Sequence, residues 1–144
     1  MLRALSFVGL LAMIGAAVGM FATGNLFSAA PAVIAAQVAA GALMVWARVT
    51  FGLRSFHATA DPTEGGLVTS GPYSTIRHPI YTSVCLFVWA GALAHLSPLS
   101  GALAALEFAD SLVRMIAEEC MLIVRYPEYR EYATRPKRMI PFIF

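Results

Sequence analysis

Residues 71–81 read Gly71-Pro72-Tyr73-Ser74-Thr75-Ile76-Arg77-His78-Pro79-Ile80-Tyr81 and join a polar, turn-forming stretch to an apolar helix. Gly71-Pro72 favours a turn, and Pro79 suits the first turn of a helix, where its missing N–H has no intrahelical partner. The next residues, as far as Leu96, are apolar or small apart from His95. Because the dipole and free N–H groups at a helix start favour an anion, the segment predicts a ligand site where a membrane helix begins.

The composition of the chain indicates a membrane protein. Of its 144 residues, 59% are hydrophobic and only 12% are charged, and the mean hydropathy is +0.72. Soluble domains carry about twice that charged fraction. The net charge of +2 is too small to suggest a nucleic-acid partner. Cys85 and Cys120 are far apart and the three histidines are scattered, so the sequence predicts no metal site.

Four long apolar runs predict an all-α, polytopic membrane fold with about four transmembrane helices, since each is near the ~20 residues that cross a bilayer. The runs cover about Leu5–Phe21, Ala29–Ala47, Ile80–Leu96 and Leu99–Val124. We expect one membrane-embedded domain over residues 1–144. Residues 1–50 would form two scaffold helices rich in small side chains, and residues 51–144 would carry the functional motifs.

The positions of the basic residues predict the orientation in the membrane. The connection from Arg48 to Arg77 carries three arginines, whereas the connections near residues 24–31 and 95–100 carry no Lys or Arg. The C-terminal part adds Arg125, Arg130, Arg135, Lys137 and Arg138. The positive-inside rule therefore places both termini and the long middle connection in the cytoplasm, and the short, Ala-rich chain suggests a bacterial inner membrane. The sequence does not indicate an oligomeric state.

The fourth run carries an unusual charged face. Glu107, Asp110, Arg114 and Glu118 follow one another at steps of three or four, so they share one side of a helix. Charged residues at this depth are costly unless they face protein or water. Two interpretations remain open at this point. The charges neutralise one another where the helix leaves the membrane, or they form part of a functional site.

Several motifs follow one another in the second part of the chain. They are Gly66-Leu67-Val68-Thr69-Ser70-Gly71-Pro72-Tyr73, Arg77-His78-Pro79-Ile80-Tyr81, Arg114 with Glu118-Glu119, and Glu128-Tyr129 with Tyr132. Together they resemble the integral-membrane methyltransferases typified by isoprenylcysteine carboxyl methyltransferase. The bacterial phospholipid N-methyltransferases of the same superfamily share much of the pattern. The resemblance covers roughly Phe51 to the C-terminus.

This resemblance implies that S-adenosylmethionine is the cofactor and that a multi-helix membrane fold binds it. It implies that Arg114 faces the methyl acceptor and that Glu118 belongs with it in the catalytic site. The candidate cofactor contacts are the segment Gly65–Val68 (with Gly66, Leu67 and Val68), Tyr73, Arg77, His78, Pro79, Ile80, Tyr81, Glu118 and Glu119. Whether Glu118 or Glu119 lies closer to the cofactor stays open.

The expected reaction is methyl transfer to a lipophilic acceptor drawn from the membrane at its inner leaflet. An isoprenylcysteine-type carboxylate or a related group is the first expectation, and a phospholipid amine or a small thiol is the alternative. Two other classes compete: a small four-helix transporter, and a non-catalytic membrane scaffold. Such transporters need an acidic residue in an early helix, which the first two runs lack. The tyrosines after Arg125 are typical of membrane-interface anchors.

Overall fold

The computed structural model describes residues 2–52 and 66–144. Over these residues it contains the helices α1 (Leu2–Ala22), α2 (Pro31–Phe51), α3 (Pro79–His95), α4 (Pro98–Arg125) and the short α5 (Tyr129–Tyr132), with a 3-10 turn at Gly71–Ser74. The described part has no strand, and so the predicted all-α fold is confirmed there. Gly65, and the loop residue His57 that we expect to face water, lie outside the described residues.

Local sequence signals define where the long helices begin. Pro31, Pro79 and Pro98 each occupy the first position of a helix, where a proline costs no hydrogen bond. Ser97 also caps α4, because its hydroxyl accepts a hydrogen bond from the backbone N–H of Ser100 at 3.0 Å. Only Leu96 and Ser97 separate α3 from α4, so the two helices form a tight hairpin.

The helices pack in the spatial order α1, α4, α3, α2. Between α3 and the connection after α1 the backbones approach closely at Gly91, where a Cβ atom would lie 2.8 Å from the carbonyl oxygen of Asn25. Nearby, the buried amide of Gln37 in α2 donates to the carbonyl oxygens of Leu26 at 2.7 Å and Phe87 at 3.3 Å. These contacts fix α2 and α3 to the connection that follows α1.

Large apolar side chains cover the outer surface of the bundle. Val38, Trp46 and Val18 are all more than half exposed, as expected for side chains that face lipid rather than water. Among the described residues, α2 is the one helix long and apolar enough to cross a membrane, while Phe7–Ala22 and Pro79–His95 are shorter apolar segments. The count of four transmembrane helices therefore stays a prediction.

The C-terminal segment returns to the start of α3. The backbone N–H groups of Arg77 and His78 donate to the carbonyl oxygens of Lys137 at 2.7 Å and Arg138 at 2.9 Å. Lys137 in turn donates to Thr75 at 3.3 Å, and a bridge joins Ile76 to Lys137. Two segments that are distant in the sequence thus hold each other beside α4.

Candidate active site

A pocket lies where the end of α2, the start of α3 and the end of α4 meet. It holds about 490 Å³ of empty space, counted out to its open mouth. Twelve residues line it: Phe51, Gly66, Leu67, Val68, Tyr73, Arg77, His78, Glu118, Leu122, Tyr126, Tyr129 and Tyr132.

His78 connects the pocket to the interior of the bundle. It is the residue before α3, and its side chain is only 3% exposed. Its Nε2 lies 3.1 Å from Oε1 of Glu119, and its Nδ1 lies 3.9 Å from Oε2 of Glu118. The hydrogen bond to Glu119 holds the imidazole in orientation, while the ring still lines the pocket and lies near Glu118.

Glu119 contacts three basic side chains next to the pocket, those of Arg77, His78 and Arg138. Its Oε1 accepts from Nε of Arg77 at 3.0 Å and lies next to His78, while its Oε2 accepts from Nη2 of Arg138 at 3.0 Å. Arg77 also donates to the carbonyl oxygens of Ala133 and Pro136. The hydrogen bonds with Glu119 raise the pKa of Arg138, so its guanidinium stays charged. Glu119 therefore joins the start of α3 to the C-terminal segment.

Glu118 faces a different way from its neighbour. Successive residues of an α-helix point about 100° apart, so adjacent glutamates cannot share one environment. Glu119 is buried behind the pocket, whereas Glu118 lines the pocket and its side chain is 27% exposed. Glu118 is therefore the carboxylate that a bound molecule could reach directly.

Arg114 lies one helical turn before Glu118 and deeper in the bundle. It is 5% exposed, its Nε donates to the hydroxyl of Tyr81 at 3.2 Å, and its guanidinium carbon lies 5.8 Å from the centre of the Tyr81 ring. The alkyl part of Arg114 packs against Gly9 of α1, where a Cβ atom would come within 3.3 Å of its Cγ. A small residue in α1 thus makes room for a buried arginine in α4.

Aromatic rings form much of the pocket wall. Phe51 and Tyr73 have ring centres 5.6 Å apart, and Tyr129 and Tyr132 have ring centres 5.7 Å apart. The hydroxyl of Tyr132 donates to the carbonyl oxygen of Tyr73 at 2.6 Å and so ties the two pairs together. Burial raises the pKa of Tyr73, Tyr129 and Tyr132 well above that of free tyrosine, so all three phenols remain neutral.

Gly71 allows the first ring pair to form. Its φ angle of +58° is one that side-chain-bearing residues rarely adopt, and a Cβ atom there would lie 2.8 Å from Oγ1 of Thr50. The 3-10 turn can therefore lie directly against the end of α2, which brings Tyr73 onto Phe51.

The sequence-predicted residues fall into two groups in the structure. One group lines the pocket: Gly66, Leu67, Val68, Tyr73, Arg77, His78 and Glu118. The other group lies outside the lining: Pro79, Ile80, Tyr81, Arg114 and Glu119. Pro79 and Tyr81 are buried within the bundle, so of the run from His78 to Tyr81 it is His78 that reaches the pocket.

Tyr126, Tyr129 and Tyr132 also line the pocket. Tyr129 and Tyr132 belong to a motif of the family resemblance, but tyrosines after a membrane helix are typical of interface anchors, and none of the three was predicted as a site residue. Phe51 and Leu122 also line the pocket and were not predicted as site residues from the sequence. The spacing of three residues between successive tyrosines was the available signal, because residues three apart lie on one side of a helical turn.

A second buried polar group lies in the middle of α4, away from the pocket. Glu107 is fully buried, and its Oε1 accepts from the hydroxyl of Ser111 at 2.9 Å and from the thiol of Cys85 at 3.6 Å. Its Oε2 has no hydrogen-bond partner among the described residues. Over residues 2–52 and 66–144, no three His, Cys, Asp or Glu side chains are close enough together to hold a metal ion.

Two curated proteins are similar to part of this chain. A nickel-cobalt-cadmium resistance protein of Alcaligenes xylosoxydans xylosoxydans is 42% identical over 79 residues, which are 52% of this chain and 36% of that protein. A cobalt-zinc-cadmium resistance protein of Cupriavidus metallidurans is 39% identical over 77 residues, 52% of this chain and 35% of that protein. The chain thus spans about a third of the length of these relatives. No solved structure is significantly similar to it.

A family model gives the broader match. The model for phospholipid methyltransferases matches residues 36–129, which is more than half of the chain and contains all of α3 and α4. The matched region supplies most of the pocket lining, including His78, Glu118 and Tyr129. The chain therefore belongs to the phospholipid methyltransferase family of membrane methyltransferases.

Proposed function

We propose that the protein transfers a methyl group from S-adenosylmethionine to a lipophilic acceptor at the inner leaflet of a bacterial inner membrane, with four transmembrane helices and both termini in the cytoplasm. The observation that carries the proposal is the pocket itself. Residues 66–68, the start of α3 and the end of α4 meet there, and these are the segments that hold the methyltransferase motifs. One site combines a carboxylate, an imidazole and several aromatic rings.

The chemistry of the lining fits this cofactor. Glu118 offers a reachable carboxylate to an ammonium group, and the rings of Tyr73 and Tyr132 offer flat apolar surface to an adenine. His78 supplies a further polar contact at the same wall. When bound, S-adenosylmethionine supplies an electrophilic methyl group, to which an acceptor lone pair forms a new bond while the sulfur keeps the electrons of the broken C–S bond.

Arg114 favours an anionic acceptor. Its charge is buried one turn before Glu118, next to the lining of the pocket but not part of it. A guanidinium in that position would bind a carboxylate through charge-assisted hydrogen bonds, with Tyr81 holding it in place. We therefore place an isoprenylcysteine-type carboxylate first. A phospholipid amine or a small thiol is the alternative acceptor, and an amine would have to lose a proton in the reaction.

The protein's main contribution to the rate would be positioning. Holding donor and acceptor in line and excluding water lowers a barrier by up to about 7–11 kcal/mol in ideal cases. The buried side chains of His78, Arg114 and Glu119 suit such a rigid site.

The first experiment tests the cofactor. Purified protein in detergent is heated with and without S-adenosylhomocysteine, and bound ligand should raise the melting temperature by mass action. Adenosine triphosphate is the control nucleotide. A folded protein that shows no shift at millimolar S-adenosylhomocysteine would rule the proposal out.

The second experiment identifies the acceptor. The protein is incubated with methyl-labelled S-adenosylmethionine and a membrane lipid extract, and the labelled product is treated with mild base. A carboxyl methyl ester releases its label as volatile methanol, whereas N-methyl and S-methyl groups release no methanol and their label stays non-volatile. Label that is not volatile after base would replace the carboxylate with an amine or a thiol as the acceptor.

A further inference from the structure

Tyr129 has an unusual environment in the pocket wall. The residue is only 2% exposed and it lines the pocket, yet its hydroxyl is buried without a hydrogen-bond partner among the described residues. Tyr132 packs against Tyr129, but its hydroxyl does have a partner, because it donates a hydrogen bond to the carbonyl oxygen of Tyr73 at 2.6 Å. Buried hydroxyls are nearly always paired, so an unpaired one beside a pocket points to a partner supplied by the ligand.

The charged groups near Tyr129 already have partners. Glu119 accepts hydrogen bonds from Arg77 and Arg138 and contacts His78. Arg77 is further engaged by two backbone carbonyl oxygens. Burial raises the pKa of Tyr129, with the negative charge of Glu119 adding to the effect, so the phenol is a neutral donor. Its proton is available for an acceptor atom that these neighbours do not provide.

The surroundings of Tyr129 also indicate what kind of acceptor this is. The rings of Tyr129 and Tyr132 form one tilted pair, at 58°, and those of Phe51 and Tyr73 form another, at 49°. The hydrogen bond from Tyr132 to Tyr73 joins the pairs into one wall. Aromatic side chains bind nucleobases by stacking, and a base carries ring nitrogens that accept hydrogen bonds.

We propose that Tyr129 is a cofactor-binding residue whose hydroxyl donates a hydrogen bond to the nucleoside part of S-adenosylmethionine, within a wall of aromatic rings that holds the adenine. The inference rests on the proposed function and adds the contact that fixes the nucleoside end. Glu118 and His78 remain for the amino-acid end of the cofactor.

The test compares two single-atom deletions in full-length protein in detergent. Tyr129→Phe removes a hydroxyl that has no partner among residues 2–52 and 66–144, so the melting temperature without ligand should equal or exceed that of the wild type. Tyr132→Phe removes a hydroxyl that bonds to Tyr73, so its melting temperature should fall. Dissociation constants are then measured for S-adenosylhomocysteine and for 5′-methylthioadenosine, which lacks the amino-acid end.

For Tyr129→Phe we expect the dissociation constants of both ligands to rise about tenfold, because both contain the nucleoside. Unchanged affinity for both ligands overturns the inference while leaving the proposed function intact. A loss with S-adenosylhomocysteine but not with 5′-methylthioadenosine also overturns it, since the hydroxyl would then contact the amino-acid end. A fall in the ligand-free melting temperature overturns it by revealing a protein partner. Wild-type protein that binds neither ligand refutes the proposed function as well.

Discussion

Nε2 of His78 lies 3.1 Å from Oε1 of Glu119. The imidazole of His78 lines the pocket, and it is oriented by the carboxylate of Glu119, which lies outside the pocket lining. The same carboxylate binds Arg77 from the start of α3 and Arg138 from the C-terminal segment. Glu119 is therefore a positioning residue, and its effect on a bound molecule passes through His78. The adjacent Glu118 is the one placed for direct contact.

The first prediction concerns this network. Glu119→Gln should destabilise the protein by roughly 3 kcal/mol, because it leaves two guanidinium groups without their charged partner in a mostly buried site. The matched control is Glu131→Gln, which breaks an ion pair with Arg135 whose side chains are 77% and 75% exposed and should cost less than about 1 kcal/mol. Melting temperatures in detergent measure both. Equal losses for the two variants would show that Glu119 is no more structural than a surface glutamate.

The second prediction separates Glu118 from Arg114. Glu118→Gln should weaken S-adenosylhomocysteine binding about tenfold, because a charged partner of the ammonium is lost. Arg114→Ala should leave that affinity nearly intact and slow single-turnover methyl transfer by ~30- to 1,000-fold, equivalent to about 2–4 kcal/mol of barrier.

The double variant of Arg114 and Glu118 tests the alternative that these two residues form only a structural ion pair. If Arg114 and Glu118 served only to neutralise each other, both single variants would lose stability alike and the double variant would recover part of the loss. Melting temperature, affinity and single-turnover rate of the three variants decide between the two roles. Matching losses with recovery would remove Arg114 from the catalytic site.

The third prediction tests the close approach at Gly91. Gly91→Ala should lower the melting temperature strongly, since the new methyl group would collide with the backbone carbonyl groups of Asn25 and Leu26, which cannot swing away as a side chain would. Gly101→Ala in α4 meets nothing within 4 Å and should be neutral or stabilise by up to about 1 kcal/mol through helix propensity. A Gly91→Ala protein as stable as the wild type would mean that α3 is packed less tightly than described.

The fourth prediction concerns the buried carboxyl group in the middle of α4. Glu107→Gln keeps the shape and the hydrogen bond with Ser111 but removes any charge, so the melting temperature should be unchanged or higher. Glu107→Ala leaves a cavity and should lower it, by roughly 2–4 kcal/mol of unfolding free energy. If Gln were as damaging as Ala, the carboxylate would have to be ionised and paired with a cation.

The fifth prediction is the topology. In protein without Cys85 and Cys120, single cysteines at Thr69 and Phe144 should both react with an impermeant maleimide from the cytoplasmic side. A cysteine at Ser28, in the connection after α1, should react from the other side. Labelling of Thr69 and Phe144 from opposite faces would contradict the four-helix arrangement.

The long helices were predictable from the sequence because each apolar run is nearly as long as the helix it forms. Three of the four helices also begin at a proline. The predicted run Ile80–Leu96 differs from α3 (Pro79–His95) by one residue at each end. Small residues predicted close packing but not where it occurs: Gly19 touches Leu103, Gly15 meets nothing within 4 Å, and Gly9 accommodates Arg114. A glycine in the sequence shows where another side chain can pack closely, but the identity of that side chain depends on the fold.

The tyrosines after α4 were harder to interpret for a related reason. An aromatic residue at the end of a membrane helix suits the lipid interface as well as it suits a pocket wall. The fold resolves this at Tyr129, which is buried because the chain beyond α5 turns back to the start of α3. That return depends on long-range hydrogen bonds such as the one from His78 to Arg138, which no local pattern reveals.

The bridge between Ile76 and Lys137 also bears on the biosynthesis of the protein. Ribosomes add about 5–20 residues per second from the N-terminus, so all four long helices are synthesised before the segment that holds Arg77 and His78 in place. The pocket is therefore completed only after the four long helices have been synthesised. A nascent chain arrested before residue 133 would contain every long helix, including Glu119, and still lack the carbonyl oxygens of Lys137 and Arg138 that bind the backbone N–H groups of Arg77 and His78.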